Sequence, residues 1–356
     1  MPYVPPQGLK MNWSQLKGVL RFRPPQGLPP TELVLKWAWV AASIADAFVV
    51  IDAEDPLNLS ELGSVSDSVK LDNAFDSEEI SEDAGIVTAY GSDGIAIIDV
   101  SDKSSPTIIS DLSSADMDAA SRVEYSDDYA YVTAQAADSL TIVDVRDLSD
   151  PSIASSISDS KLDRAVGLWI DGNYAYVGAA YADALTIIDI SDKANPAIVG
   201  SVSDSTKLDL AWGVRADGSY AYVCAQNADA LTIVDISDKT TPSIVGSVSS
   251  STYLDSATWL DYNSDYCYVS ARLADRLTVV DVSDRADPSI ASSVKDSTDL
   301  DDVRINEYYK DYVFCAVIGT DRVTVVDVSD KTDPAIVERI TSANLDGADG
   351  IVLVRG

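Results

Sequence analysis

Aspartates at two repeated positions are the residues of this 356-residue sequence that could do chemistry. One set occurs in the pattern Leu-Asp-x-Ala or a close variant, and comprises Asp72, Asp118, Asp163, Asp209, Asp255, Asp301 and Asp346. The other set lies in a short predicted turn, and comprises Asp46, Asp93, Asp138, Asp183, Asp229, Asp275 and Asp321. Carboxylates held close together raise one another's pKa values and attract cations, and oxygen ligands suit hard cations. Both sets are therefore candidate binding residues for calcium or for a cationic ligand.

A structural interpretation of the same aspartates is favoured. Asp accepts backbone N–H hydrogen bonds in turns and tolerates the turn conformation, and this reason would recur simply because the turn recurs. A third recurring aspartate, found in motifs such as IVDIS at residues 233–237, is expected to bond backbone in the turn that leads to a proline. No unit has the Asp-x-Asp-x-Asp-Gly spacing of a dedicated calcium loop. We therefore predict no cofactor and no metal site, with calcium as the alternative.

Catalytic residues of the usual kinds are missing from the sequence. His is absent, which removes the commonest general base and the commonest zinc ligand. Paired carboxylates could hydrolyse glycosides, but fourteen equivalent aspartates single out no pair. Trp169, Trp212 and Trp259 could form an aromatic platform for sugars, although packing in the core or in a channel is the favoured alternative. We therefore expect no catalytic residues and no enzymatic activity.

These aspartates belong to a repeat that spans most of the chain. The stretch LTIVDISDKTTP at Leu231–Pro242 recurs, with small changes, in seven places. The aspartates shared by these copies are 45 to 47 residues apart, and are Asp52, Asp99, Asp144, Asp189, Asp235, Asp281 and Asp327. Between Leu208 and Val248 the pattern predicts four strands separated by turns, which is the size of one β-propeller blade.

The two ends of the repeat predict how the array closes. Residues 33–42 correspond to the second strand of a blade whose first strand is missing, and residues 345–356 correspond to a first strand that stops. The carboxy-terminal strand should therefore complete the amino-terminal blade, which removes the open edges that favour aggregation. We predict an all-β fold: a seven-bladed β-propeller of four-stranded blades over residues 32–356.

The repeated motif resembles that of a known family. Apolar residues followed by Asp-Val/Ile-Ser-Asp-x-x-x-Pro, and then by Ile-Val-Gly-Ser, resemble the LVIVD repeat, a β-propeller repeat of mostly extracellular microbial proteins. The resemblance covers nearly everything after residue 32 and implies the propeller fold. It selects no function, because propellers host many activities.

Residues 1–31 form a predicted leader with a duplication of its own. The sequence PPQGL occurs twice, each time two positions after an aromatic residue. The first 36 residues contain five basic residues and one acidic residue, whereas the rest of the chain contains 20 basic and 57 acidic residues. A proline-rich basic segment is expected to order by docking on a partner; packing on its own propeller, or disorder, is the alternative. The predicted anchoring residues are Tyr3, Pro5, Pro6, Trp13, Phe22, Pro24 and Pro25.

The leader carries a second resemblance. Its two stretches YVPPQGL and FRPPQGL resemble short modules of tail and host-attachment proteins of long-tailed bacteriophages, although Leu9 and Leu28 stand where those modules have an acidic residue. The resemblance implies a virion protein, which reaches the outside of the cell by lysis. That route is compatible with an amino terminus that lacks the basic and apolar regions of a secretory signal.

Charge and apolar content exclude several classes of partner. The net charge of −33 disfavours nonspecific binding to nucleic acid and to anionic bilayers. No run reaches the roughly 18 apolar residues of a membrane span. Cys224, Cys267 and Cys315 lie in apolar runs at unmatched positions of the repeat, which predicts buried free thiols.

Together these features predict a nonenzymatic structural protein of a bacteriophage virion, in a tail fibre, a tail tip or attached to the capsid. Residues 1–31 would bind other virion proteins within a larger assembly, and the propeller would bind a receptor or glycan on the host surface. A microbial cell-surface or secreted adhesion protein is the first alternative. A carbohydrate-active enzyme working at the acidic mouth is the second.

Overall fold

Each repeat folds into one four-stranded antiparallel sheet, because its apolar runs of six to eight residues are separated by turns rich in Asp, Gly and Ser. The computed structural model describes residues 35–355, which contain 28 strands in seven such sheets. The sheets are the blades of a propeller. Blade 1 contains β28, β1, β2 and β3, blade 2 contains β4–β7, and the remaining blades follow in chain order to blade 7, β24–β27.

The first two strands of each blade lie nearest to the ring axis. The innermost strands, in blade order, are β28 (Ala348–Arg355), β4 (Ala74–Ser81), β8 (Ala120–Ser126), β12 (Ala165–Asp171), β16 (Ala211–Ala216), β20 (Ala257–Asn263) and β24 (Val303–Tyr309). The second strands are β1 (Leu35–Ala42), β5 (Ala84–Ala89), β9 (Tyr129–Ala134), β13 (Tyr174–Ala179), β17 (Tyr220–Ala225), β21 (Tyr266–Ala271) and β25 (Tyr312–Val317).

The other two strands complete each blade outward. The third strands are β2 (Ala47–Asp52), β6 (Gly94–Asp99), β10 (Ser139–Asp144), β14 (Ala184–Asp189), β18 (Ala230–Asp235), β22 (Arg276–Asp281) and β26 (Arg322–Asp327). The outer strands are β3 (Ser60–Ser66), β7 (Thr107–Ser113), β11 (Ser152–Ser158), β15 (Ala197–Ser203), β19 (Ser243–Ser249), β23 (Ser289–Lys295) and β27 (Ala335–Thr341). Short 3-10 helices at Ala115–Met117, Ser160–Leu162 and Ala343–Leu345 precede β8, β12 and β28.

The ring is closed by the two ends of the repeat, as predicted. The carboxy-terminal strand β28 pairs antiparallel with β1, with Val40 opposite Ile351 and Ala38 opposite Leu353. Blade 1 is therefore shared between the beginning and the end of the described chain, and the other six blades are contiguous in sequence. The prediction of a seven-bladed propeller with four-stranded blades is confirmed.

Hydrophobic cores lie between neighbouring blades. Tyr176 and Leu185 of blade 4, for example, pack with Val214 and Val223 of blade 5. Strands such as β18 are buried on both sides and read as continuous apolar runs, whereas outer strands such as β11 alternate between exposed and half-buried residues. The apolar residues of the repeated motif therefore join one blade to the next.

A hydroxyl group ties the third strand to the preceding connection in five blades. The residues concerned are Thr141, Thr186, Thr232, Thr278 and Thr324, and each Oγ1 donates to a backbone carbonyl of the connection that precedes its own blade. In blades 3, 4 and 5 the same hydroxyl lies 3.0–3.1 Å from a serine hydroxyl of the outer strand. Blade 2 has Ala96 at this position, opposite Asp111 of the outer strand.

Cys224, Cys267 and Cys315 are buried and free, as predicted, and burial raises the pKa of each thiol. Within residues 35–355, no helix is long and apolar enough to cross a membrane.

Candidate functional site

The turn aspartates connect neighbouring blades. All seven have positive φ, between 47° and 54°. Six of them accept a backbone N–H through Oδ1 from the residue immediately before the inner strand of the next blade, and these donors are Asn73, Ala119, Arg164, Leu210, Ser256 and Gly347. The shortest of these bonds, Arg164 N to Asp138 Oδ1, is 2.7 Å. Asp suits this position because it tolerates the left-handed conformation and supplies the acceptor.

The aspartates of the Leu-Asp-x-Ala pattern lie beside the same turns. The peptide oxygen of Asp72 accepts the N–H of Gly91, at 2.9 Å, and the peptide oxygen of Asp163 accepts that of Tyr181, at 3.1 Å. Equivalent bonds occur at Asp118, Asp209, Asp255, Asp301 and Asp346. The structure thus brings both predicted sets together on one side of the ring. We call this side the aspartate face, meaning the seven turns and the seven connections that contain these fourteen residues.

Two pairs of carboxylates on the aspartate face interact strongly enough to change a pKa. Burial, and then the charge of Asp229, raise the pKa of Asp255. Burial, and then Asp321, raise the pKa of Asp346. The residues described contain no group of three or more Cys, Asp or Glu side chains arranged to hold a metal ion. The geometry of the described aspartates therefore supplies bonds between blades and a negative face, with no preformed calcium cage.

The aspartate of the repeated motif lies on the opposite side of the ring, and it bonds backbone in the turn as predicted. Asp235 Oδ1 accepts the N–H of Ser237 at 2.8 Å, and bonds from the Ser237 hydroxyl and N–H lower the pKa of Asp235. The same N–H bond, from the residue two positions later, is made by Asp52, Asp99, Asp144, Asp189, Asp281 and Asp327.

The repeat breaks down in the central channel. Two positions of the inner strands, two and four residues after the alanine or valine of the Leu-Asp-x-Ala pattern, each carry five different residue types among the seven blades. In the order of blades 2 to 7 and then 1, the first position holds Asp76, Arg122, Gly167, Gly213, Trp259, Ile305 and Gly350, and the second holds Glu78, Glu124, Trp169, Arg215, Asp261, Glu307 and Val352. Several of these residues line an internal cavity of about 20 Å³ on the ring axis.

Arginine and aromatic side chains fill the channel by stacking. The guanidinium of Arg122 lies 4.9 Å from the ring of Phe75 and 4.4 Å from that of Trp259. The guanidinium of Arg215 lies 4.8 Å from the ring of Trp259 and 4.6 Å from that of Trp169. Arg122, Arg215 and Trp259 are 2%, 4% and 4% exposed. We call these five side chains, which come from five different blades, the channel stack.

Carboxylates surround the channel stack. Arg122 Nη1 is 3.4 Å from Asp76 Oδ1, and Arg215 is 3.6 Å from Asp261 and 3.8 Å from Glu307. Arg304 lies 3.9 Å from Asp349.

Burial changes the acidity of two of these carboxyls. It raises the pKa of Asp76, and it raises the pKa of Asp349 to about 6 in spite of the opposing charges of Arg304 and Arg122. A buried carboxyl with a pKa near neutrality could exchange protons as a general acid or base. The cavity on the ring axis, however, is lined by Asp76 and not by Asp349, and it has room for only one or two water molecules.

The channel residues were missed at the sequence level, where the candidate residues were the aspartates that all seven units share. Reading along the chain shows what the units share, whereas a comparison of the seven units position by position would have shown Arg122 and Arg215 among glycines and carboxylates.

Of the three tryptophans considered as a sugar platform, Trp169 and Trp259 belong to the channel stack. Trp212 is 8% exposed and packs with Val166 and Ala180. All three tryptophans are therefore packed in the core or in the channel, which was the favoured alternative to a sugar platform. The predicted anchoring residues lie outside the described residues.

The family sequence model described as the LVIVD repeat matches six segments of the chain, which are residues 88–113, 119–159, 164–204, 210–250, 263–296 and 302–342. The chain belongs to the LVIVD repeat family. The motif resemblance is confirmed by this match, and the family assignment describes the repeat and no particular activity. No curated protein matches this LVIVD chain by sequence.

Solved structures of several other proteins share the fold of this LVIVD protein. A candidate 6-phosphogluconolactonase from Bacteroides fragilis has a TM-score of 0.75 at 11% identity, over 92% of this chain and 99% of that chain. The periplasmic gluconolactonase of Pseudomonas aeruginosa has a TM-score of 0.65 at 13% identity, over 90% and 99%. A protein of unknown function from Desulfotomaculum acetoxidans has a TM-score of 0.71 at 13% identity, over 89% and 98%.

The expectation that the protein has no enzymatic activity is corrected by these similarities. Proteins named as lactonases have the same architecture along nearly their whole length, so this fold is compatible with an enzyme. Histidine is absent and the fourteen aspartates are equivalent, but the carboxylates of the channel are unequal. At 11–13% identity the likeness establishes the fold alone.

Proposed function

We propose that this LVIVD propeller is an attachment protein of a bacteriophage particle. In this proposal residues 1–31 bind other virion proteins, and the aspartate face binds a receptor or glycan on the host surface. The protein would then be located in the virion and would work outside the cell after lysis.

The observation that carries the proposal is the direction in which β1 runs through blade 1. Its last residue, Ala42, leads into the turn at residues 43–46, where Ser43 N–H donates to Gly347 O at 2.8 Å on the aspartate face. Leu35, at the other end of β1, therefore lies on the opposite side of the ring, where its N–H donates to the Tyr309 hydroxyl at 3.1 Å. A particle that holds the residues before Leu35 would have the aspartate face directed away from it.

Two further features support attachment. A closed ring of seven blades leaves only the short outer strands as sheet edges, which suits a rigid module displayed at high local concentration. The five basic residues among the first 36 contrast with the 57 acidic residues that follow, so the leader and the propeller suit different partners.

The proposal is tested by a chain that lacks residues 1–31. We expect this chain to fold with an unchanged melting temperature, to remain monomeric, and to be lost from purified particles. Mass spectrometry of the particles gives the readout, with the full-length chain as the control. Incorporation of the shortened chain at the normal copy number would contradict the anchoring part of the proposal.

A second candidate function is hydrolysis of a sugar lactone or related ester in the channel. The observation in its favour is the buried Asp349, whose pKa of about 6 suits a general base, beside Arg304 and close to the axis of a fold that proteins named as lactonases share. The channel stack would have to move to admit such a substrate. Asp349→Asn tests this candidate in a lactone hydrolysis assay: a rate at least a hundredfold lower supports it, and equal rates for both proteins exclude it.

A further inference from the structure

A groove on the aspartate face of blade 2 has the dimensions of a small-ligand site. Its volume is about 370 Å³, which lies within the usual range for ligand pockets. One wall is the connection at residues 68–72, and the other is formed by the turn at residues 91–94 and the end of β7. The groove opens on the side of the ring that is directed outward in the proposed attachment role.

Blade 2 departs from the repeat in two strands beside the groove. In blades 3, 4 and 5 a threonine of the third strand and a serine of the outer strand share a hydrogen bond, and the threonine also bonds the preceding connection. In blade 2 the corresponding residues are Ala96 and Asp111, which are opposite each other in the sheet. Ala96 has no hydroxyl with which to bond the connection. Asp111 instead pairs with Lys70 of the connection, at 2.8 Å.

Glycine at the turn adds to this space. A Cβ at Gly91 would lie 2.6 Å from the carboxyl carbon of Asp72, so a larger residue would displace this carboxylate from its place in the groove wall. The equivalent position holds Ala136 in blade 3 and Tyr181 in blade 4. Gly91 therefore allows Asp72 to line the groove. Asp301 of blade 7 adjoins Gly319 in the same way, whereas Asp118 and Asp163 adjoin the bulkier Ala136 and Tyr181.

The lining combines hydroxyl, charged and apolar groups. Ser68, Ser92 and Ser113 supply hydroxyls, and Val69, Ile95 and Leu112 supply apolar surface. Among the residues described, the Oγ of Ser92 is buried and has no hydrogen-bond partner. Val69 is 74% exposed at the rim.

We infer that this groove binds a neutral saccharide unit of a host-surface glycan. Carbohydrates present hydroxyl groups and apolar C–H faces together, which matches a wall of hydroxyls and carboxylates beside apolar side chains. Asp72 and Asp111 against Lys70 give the groove a net negative charge, and the whole face is acidic, so an anionic sugar such as a sialic acid is disfavoured. This inference rests on the proposed attachment function and names the ligand class of the aspartate face.

The experiment is titration of the purified full-length chain with neutral oligosaccharides of hexoses and N-acetylhexosamines, and with sialylated versions of the same compounds. We expect binding of at least one neutral compound and at least tenfold weaker binding of its sialylated version. Asp72→Asn should weaken the neutral interaction at least tenfold, because a hydrogen-bonding carboxylate is lost. Asp118→Asn, the same change at the equivalent position of blade 3, should alter it less than twofold.

A second variant changes the groove and is expected to leave the fold intact. Ala96→Thr with Asp111→Ser gives blade 2 the residues of blades 3–5, so the ring should fold normally, while the groove loses one of its two carboxylates and gains a threonine that can bond the connection. We expect no measurable saccharide binding by this variant and an unchanged melting temperature. Binding that persists in this variant, equal effects of the two Asp→Asn changes, a preference for sialylated compounds, or no saccharide binding by the full-length chain would each overturn the inference.

A failure of the saccharide inference can be distinguished from a failure of the attachment proposal. If the purified chain competes with particles for host cells but binds no saccharide, the inference is wrong and the attachment proposal is retained. If the chain binds a neutral saccharide but does not compete, the groove is a saccharide site and the attachment proposal is wrong.

Discussion

At the scale of single residues, the recurring aspartates of the turns act as connectors between blades. Asp183 has a φ of 48°, and its Oδ1 accepts the N–H of Leu210 in the next blade at 3.0 Å. An acidic ring could therefore arise without selection for a ligand, since six of the seven turn carboxylates have a structural partner. The same bonds fix the positions of the turns, and residues such as Tyr181 and Leu273 differ between blades at those turns and are 61% and 63% exposed.

Asp183→Ala should lower the free energy of unfolding by about 2 kcal/mol, because it removes one hydrogen bond and places alanine in a left-handed conformation. Asp183→Asn keeps both the conformation and the acceptor and should change stability by less than about 0.5 kcal/mol. Chemical denaturation of the two variants gives the comparison. Equal stability of Asp183→Ala and the parent protein would refute the structural role.

The buried carboxyl of Asp349 makes a prediction about pH. Its pKa is raised from 3.8 to about 6 in the folded protein, so the folded state holds a proton that the unfolded state releases. The stability that this group contributes is therefore fully present below pH 4 and is lost as the pH rises through about 6. Asp349→Asn resembles the protonated form and should be more stable than the parent at pH 7.5, by an amount on the order of 2 kcal/mol.

The pH dependence of the stability of Asp349→Asn distinguishes titration of the carboxyl from a general change in packing. The stability difference between Asp349→Asn and the parent should decrease steadily between pH 7.5 and pH 4, because the parent carboxyl becomes protonated over that range. Denaturation at a series of pH values measures it. A difference that is independent of pH would show that Asp349 does not titrate in this range.

At the scale of elements, the outer parts of each blade follow the repeat, and the inner strands do not. The strand pattern and the missing first strand of blade 1 were sufficient to predict the four-stranded blades and the pairing of β28 with β1, because both depend on local sequence periodicity. The channel stack depends on side chains that meet across the ring from blades far apart in sequence. The groove of blade 2 depends on the register that brings Ala96 opposite Asp111. Neither the contacts across the ring nor this register can be predicted from the periodicity of a single repeat unit.

Trp259→Ala should lower the free energy of unfolding by about 3–5 kcal/mol, because the indole is 4% exposed and lies against both Arg122 and Arg215. Tyr181→Ala removes an aromatic side chain that is 61% exposed and should cost less than about 1 kcal/mol. Equilibrium denaturation gives both values. Similar losses for the two variants would mean that the channel stack is not an important connection between blades.

At the scale of the whole molecule, the ring has two different sides. The repeated Asp-x-Ser-Asp turns and the first residue of β1 lie on one side, and the aspartate face lies on the other. A ring of this kind can be held from one side and bind from the other without a change of shape. Closure by β28 is essential to this arrangement, because its pairing with β1 supplies the innermost strand of the blade that joins the two ends of the series.

Deletion of residues 345–356 should open the ring. The deletion removes β28 and exposes an edge of β1. It also uncovers apolar residues, such as Trp39 and the residues of blade 2 that contact Val352 in the intact ring. We therefore expect aggregation and a lower melting temperature. Size-exclusion chromatography and thermal denaturation provide the readouts. A shortened chain that stays monomeric with unchanged melting would contradict closure.

The central claim, that the propeller attaches particles to host cells, is tested most directly by a competition experiment. Particles that carry the protein are mixed with host cells in the presence of increasing amounts of purified chain. We predict that the full-length chain and the chain without residues 1–31 reduce adsorption equally, in proportion to the fraction of receptor occupied, because the aspartate face is intact in both. Adsorption that is unchanged at a large molar excess of folded protein would contradict the claim.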